Sequence, residues 1–340
     1  MAQFFSKLFG NAAVKERLGA AIQSGTLPHA LIISGPEGSG KRTLSRQIAA
    51  ALLCTERGDT LPCGVCNNCR RVYEGIYPDL HIIAPEEGKT LIPVAKIREM
   101  RAEMSLSAVE GSYRIFIIED AEGMNAAAQN ALLISLEEPP EGVVILLLTK
   151  SEEALLTTVR SRAQTIRTEL FDNERLSRYL TRNERYAAIA NADPAKADAL
   201  LESAHGCIGM AEALLSGGGL TDIMRQRELV DAVIVALCER DTVPLYDAIR
   251  ALPSTKRDEL ADVLRLLGEA LRDLILLKRT AEVHLLYYTD KEAAIALSER
   301  IGIRRLLSLS DTADEAVESL MRNANVSIVL ATILNGALTH

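Results

Sequence analysis

The pattern of apolar and polar positions divides the chain near residue 167. Before that point, short apolar runs alternate with segments of helical period, which is typical of a parallel sheet wrapped by helices. The predicted strands are 30–34, 80–84, 114–118, 143–149 and 163–167. After that point the strand pattern stops, and the sequence predicts only helices. The first three of these are 177–190, 195–204 and 209–215.

One long helix is predicted in the second half of the chain, because five leucines recur there at three- and four-residue spacing and form one apolar face. They are Leu260, Leu264, Leu267, Leu271 and Leu274. Such a helix is expected to pack in a bundle. The run Ser-Gly-Gly-Gly at 216–219 precedes this part. Three successive glycines favour neither a helix nor a strand, so we predict a linker there.

A phosphate-binding loop is predicted at residues 35–41, which read Gly-Pro-Glu-Gly-Ser-Gly-Lys between a strand and a helix expected to begin near Leu44. In this spacing, backbone N–H groups converge on a phosphate at the helix N-terminus, and Lys41 supplies a positive charge. The glycines of the pattern are Gly35, Gly38 and Gly40. Strand, loop and helix in this order indicate a nucleotide-binding ancestry.

The residue after Lys41 departs from the pattern. A Ser or Thr hydroxyl is expected there as a magnesium ligand, but the residue is Arg42, whose guanidinium has no lone pair to donate. Thr43 lies about 100° further around the helix and cannot simply replace that hydroxyl. Magnesium is therefore not expected. Two alternatives stay open: the loop keeps its shape without a nucleotide, or it binds ATP or ADP without cleaving it.

Two acidic residues, Glu119 and Asp120, follow the predicted strand 114–118. An ATPase of this type places there an Asp for the metal and then a Glu that orients the attacking water, so the order is reversed here. By themselves, acids at this position are more often a solvated strand end. Thr149 ends the strand 143–149 and is a candidate phosphate sensor. Its alternative role is a hydrogen bond to the local backbone.

A zinc site is predicted from four cysteines with the spacing C-x8-C-x2-C-x2-C, namely Cys54, Cys63, Cys66 and Cys69. Thiolates two residues apart chelate a metal readily, and four of them complete a tetrahedral structural site. The segment carries turn-forming residues and little apolar material, so a metal can supply its folding energy. Free buried thiols are the alternative.

Length and charge narrow the remaining possibilities. A chain of 340 residues predicts two or three domains. The formal net charge of -8 argues against a large DNA-binding surface of its own, which needs clustered Lys and Arg. No apolar run reaches the roughly 18 residues of a membrane span, so no membrane association is expected and the location predicted is the cytoplasm.

Several segments together resemble the bacterial DNA polymerase III clamp-loader family, which comprises the gamma/tau and delta-prime subunits. They are the cysteine cluster and residues 27–31 (LPHAL), 130–140 (NALLISLEEPP) and 158–164 (TVRSRAQ). The resemblance implies an α/β AAA+ P-loop module with a parallel five-stranded sheet at 1–167, including a zinc module at about 54–69. It also implies a helical lid domain at 168–216 and an all-helical collar domain at 220–340, which joins subunits.

The same resemblance implies partners and a role for one arginine. The partners are gamma/tau and delta subunits in a five-subunit ring, with the sliding clamp and primed DNA reached through the complex. The family's Ser-Arg-Cys motif falls on Ser161-Arg162-Ala163, so Arg162 resembles an arginine finger that projects into the ATP site of the next subunit. Without the resemblance, a solvated surface arginine is the alternative. His29 is expected to be packed or hydrogen-bonded, not catalytic.

Three departures distinguish this chain from the motor branch of the family. Arg42 replaces the hydroxyl residue, the Glu119-Asp120 order is reversed, and Gly209 stands where the motor subunits carry a nucleotide-sensing Arg. We therefore predict a subunit of the delta-prime branch, which donates Arg162 and hydrolyses little or no ATP. The alternatives are a gamma/tau-type ATPase with an unusual loop, and a separate zinc DNA-binding protein, which the net charge disfavours.

Overall fold

A computed structural model of the chain describes residues 3–56, 58, 60–86, 89–216, 219–239, 242–280, 285–288, 290–321 and 324–338. The chain forms two compact units. The first comprises Met1–Tyr179 with Gly206–Met210, and the second comprises Leu180–His205 with Ala211–His340. The three-domain division made from the sequence stays a prediction.

The first unit contains all the strands of the described residues. They are β1 (Gln3–Phe4), β2 (Ala30–Ser34), β3 (Thr60–Leu61), β4 (Leu80–Ile83), β5 (Arg114–Ile118), β6 (Val143–Thr149) and β7 (Gln164–Arg167). Five of them form one parallel sheet in the order β4-β5-β6-β2-β7. The predicted parallel five-stranded sheet is thereby confirmed. The short strands β1 and β3 pair in parallel as a separate sheet, which the sequence did not predict.

Helices cover both faces of this sheet because its strands are apolar on both sides. The helices up to residue 180 are α1 (Ala12–Ser24), α2 (Lys41–Leu53), α3 (Asn67–Glu74), α4 (Val94–Met104), α5 (Ala126–Glu137), α6 (Thr157–Arg160) and α7 (Asn173–Leu180). Leu31 and Ile33 share a core with α1 and α2. Ile32 faces the opposite way, toward α4 and α5. This alternation is the period-two geometry of a strand.

The remaining helices form the second unit, apart from the start of α10. They are α8 (Glu184–Ala192), α9 (Pro194–Ser203), α10 (Ile208–Ser216), α11 (Gly219–Leu237), α12 (Val243–Arg250), α13 (Arg257–Leu277), α14 (Lys291–Arg300), α15 (Ile303–Met321) and α16 (Val326–Leu338). The five leucines named above all lie in α13 and are buried in the core of the second unit, so the predicted packed helix is confirmed. Within the described ranges, no helix combines the length and apolarity needed to cross a bilayer.

Two boundaries differ from the sequence predictions. The helix predicted at 177–190 is two helices, α7 and α8, because the Asn183 side chain accepts the backbone N–H of Arg185 at 3.0 Å and starts α8 anew. In the predicted linker at 216–219, Ser216 closes α10 and Gly219 begins α11. Residues 217 and 218 lie outside the described residues.

A polar cluster is buried within the helical unit. The Glu202 carboxylate lies 3.1 Å from Nη2 of Arg227, and both side chains are largely buried. Burial raises the pKa of Glu202 to about 7, although Arg227 opposes the shift. Asp273 is fully buried and accepts the backbone N–H groups of Leu286 at 2.8 Å and Tyr287 at 2.7 Å. These bonds satisfy groups that would otherwise destabilise the core.

Candidate nucleotide, arginine and metal sites

The predicted phosphate loop connects β2 to α2 in the first unit, and α2 begins at Lys41 rather than near Leu44. Gly38 and Gly40 have φ angles of +73° and +91°, a region that side chains disfavour. The loop therefore takes the turn that its glycines permit and delivers Lys41 and Arg42 to the first turn of α2.

Lys41 is bound by the loop itself. Its Nζ donates to the carbonyl oxygens of Gly35 at 2.6 Å and Pro36 at 2.8 Å. Burial lowers the pKa of Lys41, while the nearby carboxylates of Glu122 and Asp120 act in the opposite direction. The ammonium that would contact outer phosphates is thus satisfied by main-chain carbonyls in this conformation.

Arg42 forms ion pairs with both acids at the end of β5. Its Nε lies 2.8 Å from the Glu119 carboxylate, and its Nη2 lies 3.5 Å from the Asp120 carboxylate. Glu119 is largely buried, whereas the Arg42 side chain is mostly exposed. Folding therefore brings Arg42 against the two adjacent acids, which lie far from it in sequence. It places a cationic side chain against the carboxylates that would otherwise hold a divalent cation.

The two threonines considered for a role at the phosphate loop, Thr43 and Thr149, do not supply a hydroxyl to it in this structure. Thr43 is exposed on α2. Thr149 is fully buried, and its hydroxyl donates to the Ser151 carbonyl at 2.7 Å, which is the local backbone bond considered as its alternative role. In this conformation neither residue supplies the hydroxyl that Arg42 replaces.

Gly209 packs directly on the phosphate loop. Its N–H donates to the Gly38 carbonyl at 2.9 Å. A Cβ at Gly209 would lie 3.0 Å from the Gly38 Cα, and a Cβ at Gly38 would lie 2.5 Å from the Met210 nitrogen. The sequence predicted the missing arginine at Gly209 but not this backbone contact, which leaves no room for a side chain at Gly38 and little room for one at Gly209.

Arg162 lies on the surface between α6 and β7. Its Nη2 lies 2.7 Å from the Glu137 carboxylate at the end of α5, and its Nη1 donates to the Thr158 carbonyl at 3.0 Å. The neighbouring Ala163 is partly buried and packs against the core that lies between the sheet and helices α4 and α5. The structure therefore places the Arg162 guanidinium against α5, in contact with residues of its own unit.

The four predicted metal ligands come together. Cys54 follows α2, Cys63 and Cys66 lie in the next loop, and Cys69 lies in α3; all four sulfur atoms are within 4.8 Å of one another. Zinc–sulfur bonds of about 2.3 Å give a tetrahedral edge of about 3.8 Å. Sγ of Cys63 and Sγ of Cys69 are 3.9 Å apart. The cluster fits a four-thiolate zinc site with a small contraction.

Hydrogen bonds and burial act in opposite directions on these thiols. Burial disfavours the Cys66 thiolate, but backbone N–H groups, chiefly that of Cys69, outweigh it and lower the pKa of Cys66 to about 6. Burial raises the pKa of Cys54 and of Cys69. A bound dication would stabilise the thiolate form of all four, as metal binding to cysteine requires.

Other side chains attach the cysteine loop to α2. The Asn68 amide donates to the Leu53 carbonyl at 2.9 Å, at the open end of α2. The Gln47 amide donates to the Tyr73 hydroxyl at 2.6 Å. The sequence did not predict the Asn68 contact, because no local pattern identifies a carbonyl that is fifteen positions away as its partner.

His29 has the structural role predicted for it. Its Nε2 lies 3.0 Å from the Leu136 carbonyl near the end of α5, and its side chain is partly buried. The contact ties the start of β2 to α5. It lies apart from the phosphate loop, which follows the other end of β2.

Comparison with known proteins adds independent information. A family model described as "DNA polymerase III, delta subunit" matches residues 10–172. The chain is similar to the delta' subunit of Pseudomonas aeruginosa, with 39% identity over 39% of this chain and 41% of the relative. It is also similar to the delta' subunit of Yersinia pestis, with 29% identity over 78% of this chain and 75% of the relative.

A gamma/tau subunit is related as well. The protein from Mycobacterium bovis is 28% identical over 81% of this chain and 49% of its own length. The chain thus spans less than half the length of the Pseudomonas and mycobacterial relatives.

Proposed function

Since this chain belongs to the family of DNA polymerase III clamp-loader subunits, we propose that it is a delta-prime-type subunit that cleaves little or no ATP itself. In this proposal it completes the ATP site of a neighbouring gamma/tau-type subunit with Arg162 while the loader places the sliding clamp on primed DNA. Its partners are gamma/tau and delta subunits in a five-membered ring, joined through the proposed collar at 220–340.

The observation that carries the proposal is the pairing of Arg42 with Glu119 and Asp120. Phosphoryl transfer at a P-loop relies on a magnesium ion that bridges the outer phosphates and neutralises developing charge. A guanidinium has no lone pair, so Arg42 cannot ligate that ion, and its charge repels it. To enter, magnesium would have to displace Arg42 from both acids. This supports a subunit without its own turnover and disfavours the gamma/tau-type alternative.

The surroundings of Arg162 support its role in a neighbouring site. Its guanidinium reaches the surface and pairs with the exposed Glu137. Ile134 lies three residues before Glu137 on α5, and its side chain is 53% exposed. Residues three apart adjoin on a helix surface, so a charged finger and an exposed apolar side chain lie on one face. Such a face suits contact with another protein.

We assign the cysteine cluster a structural zinc ion. Four thiolates leave no open position for a catalytic water, so zinc would supply cross-linking and folding energy. Cys54 follows the last residue of α2, whose first turn carries Lys41 and Arg42. Zinc bound there would hold one end of the helix whose other end presents the phosphate loop.

The test is a pair of ATPase measurements. The isolated chain should cleave ATP far more slowly than a reconstituted loader, or not at all. A loader that contains the Arg162→Ala variant should lose the hydrolysis that depends on the neighbouring site, because an arginine finger contributes roughly 10³ to 10⁵ in rate. Loader-like turnover by the isolated chain would support the gamma/tau-type alternative instead.

A further inference from the structure

The Arg162 guanidinium is held by three acceptors of its own chain. Besides the Glu137 carboxylate at 2.7 Å and the Thr158 carbonyl at 3.0 Å, Nη1 lies within hydrogen-bond distance of Ser161 Oγ at 3.2 Å. The Thr158 carbonyl is four residues back in the chain. Both terminal nitrogens are therefore occupied, and the side chain is folded back against its own unit.

The contact with Glu137 is long-range in sequence and depends on the packing of α6 against α5. Glu137 is the last residue of α5 and precedes Glu138 and two prolines. Both partners are partly exposed, 36% for Arg162 and 48% for Glu137. An exposed ion pair changes an equilibrium by at most about fivefold. The pair is therefore strong enough to set the resting position of Arg162 and weak enough to exchange for another anion.

We propose that Glu137 is a positioning residue that keeps Arg162 withdrawn and releases it to the triphosphate of a neighbouring subunit. This inference rests on the proposed function of Arg162. A triphosphate carries more negative charge than one carboxylate, and its oxygens accept two parallel N–H bonds from a guanidinium. The phosphate therefore displaces Glu137 when the subunits are assembled. In doing so it must overcome the Arg162–Glu137 attraction, which weakens ATP binding at that site.

The test uses reconstituted loaders that differ only in this chain. DNA-stimulated ATP hydrolysis is measured as a function of ATP concentration. The rate of the loader with Arg162→Ala is subtracted from the rate of the loader with the wild-type chain. The difference gives the KM and kcat of the neighbouring ATP site that Arg162 completes. With Glu137→Gln, this KM should fall about two- to fivefold while kcat stays within about twofold. The difference from wild type should shrink at high salt, because screening weakens the exposed pair. Glu137→Asp keeps the charge on a shorter side chain and should give an intermediate KM.

Glu138→Gln is the matched control. Glu138 is the exposed neighbour of Glu137, and in the part of the chain that the structure describes it forms no ion pair. This variant should leave KM unchanged. The double variant Glu137→Gln with Arg162→Ala should behave as Arg162→Ala alone, because Glu137 acts through Arg162.

The outcomes separate the two proposals. If Arg162→Ala leaves hydrolysis intact, the proposed function is wrong. If Arg162→Ala removes it but Glu137→Gln leaves KM unchanged or raises it, Arg162 acts in the neighbouring site and the withdrawal by Glu137 is wrong. If Glu137→Gln impairs folding, side-chain ¹⁵N NMR of the isolated Glu137→Asp chain replaces it. The control is the isolated Glu138→Asp chain. If the Arg162 N–H groups of Glu137→Asp exchange with solvent no faster than those of Glu138→Asp, the contact is not weakened and the inference is overturned. Faster exchange in Glu137→Asp would support it.

Discussion

Replacing Arg42 with threonine should restore a divalent cation site at the end of β5. The substitution removes a cation that lies 2.8 Å from Glu119 and 3.5 Å from Asp120, and it returns a hydroxyl to the position after Lys41. Two adjacent carboxylates and a hydroxyl are oxygen ligands of the kind that magnesium prefers. The variant should therefore be less stable than wild type without magnesium and regain stability when magnesium is added.

The size of the effect follows from burial. An ion pair with one exposed partner contributes about 1 kcal/mol or less, and leaving the largely buried Glu119 without its cation adds about 1 kcal/mol. A loss of about 1 to 2 kcal/mol lowers Tm by roughly 2 to 8 °C for a unit of this size. For a magnesium dissociation constant on the order of 1 mM, 10 mM magnesium returns roughly 1.4 kcal/mol.

Thermal unfolding of wild type and Arg42→Thr with 0 and 10 mM magnesium measures this directly. The control is Arg178→Thr. It removes an arginine–glutamate ion pair of similar length, 2.7 Å to Glu174, in which both side chains are exposed. Only Arg42→Thr should respond to magnesium. If magnesium raises the Tm of wild type as much as that of the variant, Arg42 does not exclude the metal. If neither responds, the two carboxylates do not form a cation site.

Three further outcomes are expected. Metal analysis should find one zinc per wild-type chain, and zinc well below one per chain would contradict the assignment. Cys66→Ser should lose the zinc, whereas the control Cys238→Ser, outside the cluster, should retain it. Glu202 binds its proton more tightly in the folded chain than in the unfolded chain. As pH rises from about 5 to 8, the free energy of unfolding of wild type should therefore fall by up to roughly 3 kcal/mol relative to that of Glu202→Gln. Urea unfolding with equal pH slopes for both chains would refute this. Leu267→Ala should destabilise the helical unit by about 2 to 5 kcal/mol in the same assay, and a loss below about 1 kcal/mol would contradict its central burial.

Much of the fold could be predicted because apolar periodicity reflects burial directly. β6 is apolar from Val143 to Leu148 and lies at the centre of the sheet, and the leucine face of α13 is buried along its length. The break before α8 was missed because Asn183 acts through a side-chain cap that competes with continued helical period. The strands β1 and β3 were missed because two-residue strands are too short to show a period.

The candidate sites also divide into those that local sequence spacing predicts and those that only the folded chain reveals. The cysteine cluster could be predicted because its spacing is local, and the folded chain brings all four sulfur atoms together. The ion pairs of Arg42 with Glu119 and of Arg162 with Glu137 could not, since each joins elements that are distant in sequence. The sequence predicted that Arg42 would impair magnesium binding. Only the fold reveals that Arg42 is held by the acids that magnesium would need.

The central claim is that this chain contributes to ATP cleavage in a neighbouring subunit through Arg162 while its own phosphate loop is inactive. The most direct test counts the ATP molecules cleaved per loader in the first turnover after the clamp and primed DNA are added. Loaders with wild-type chain and with Arg162→Ala are compared. We predict one fewer ATP cleaved per loader with Arg162→Ala, because one site loses its arginine. An unchanged number at an unchanged rate would contradict the claim.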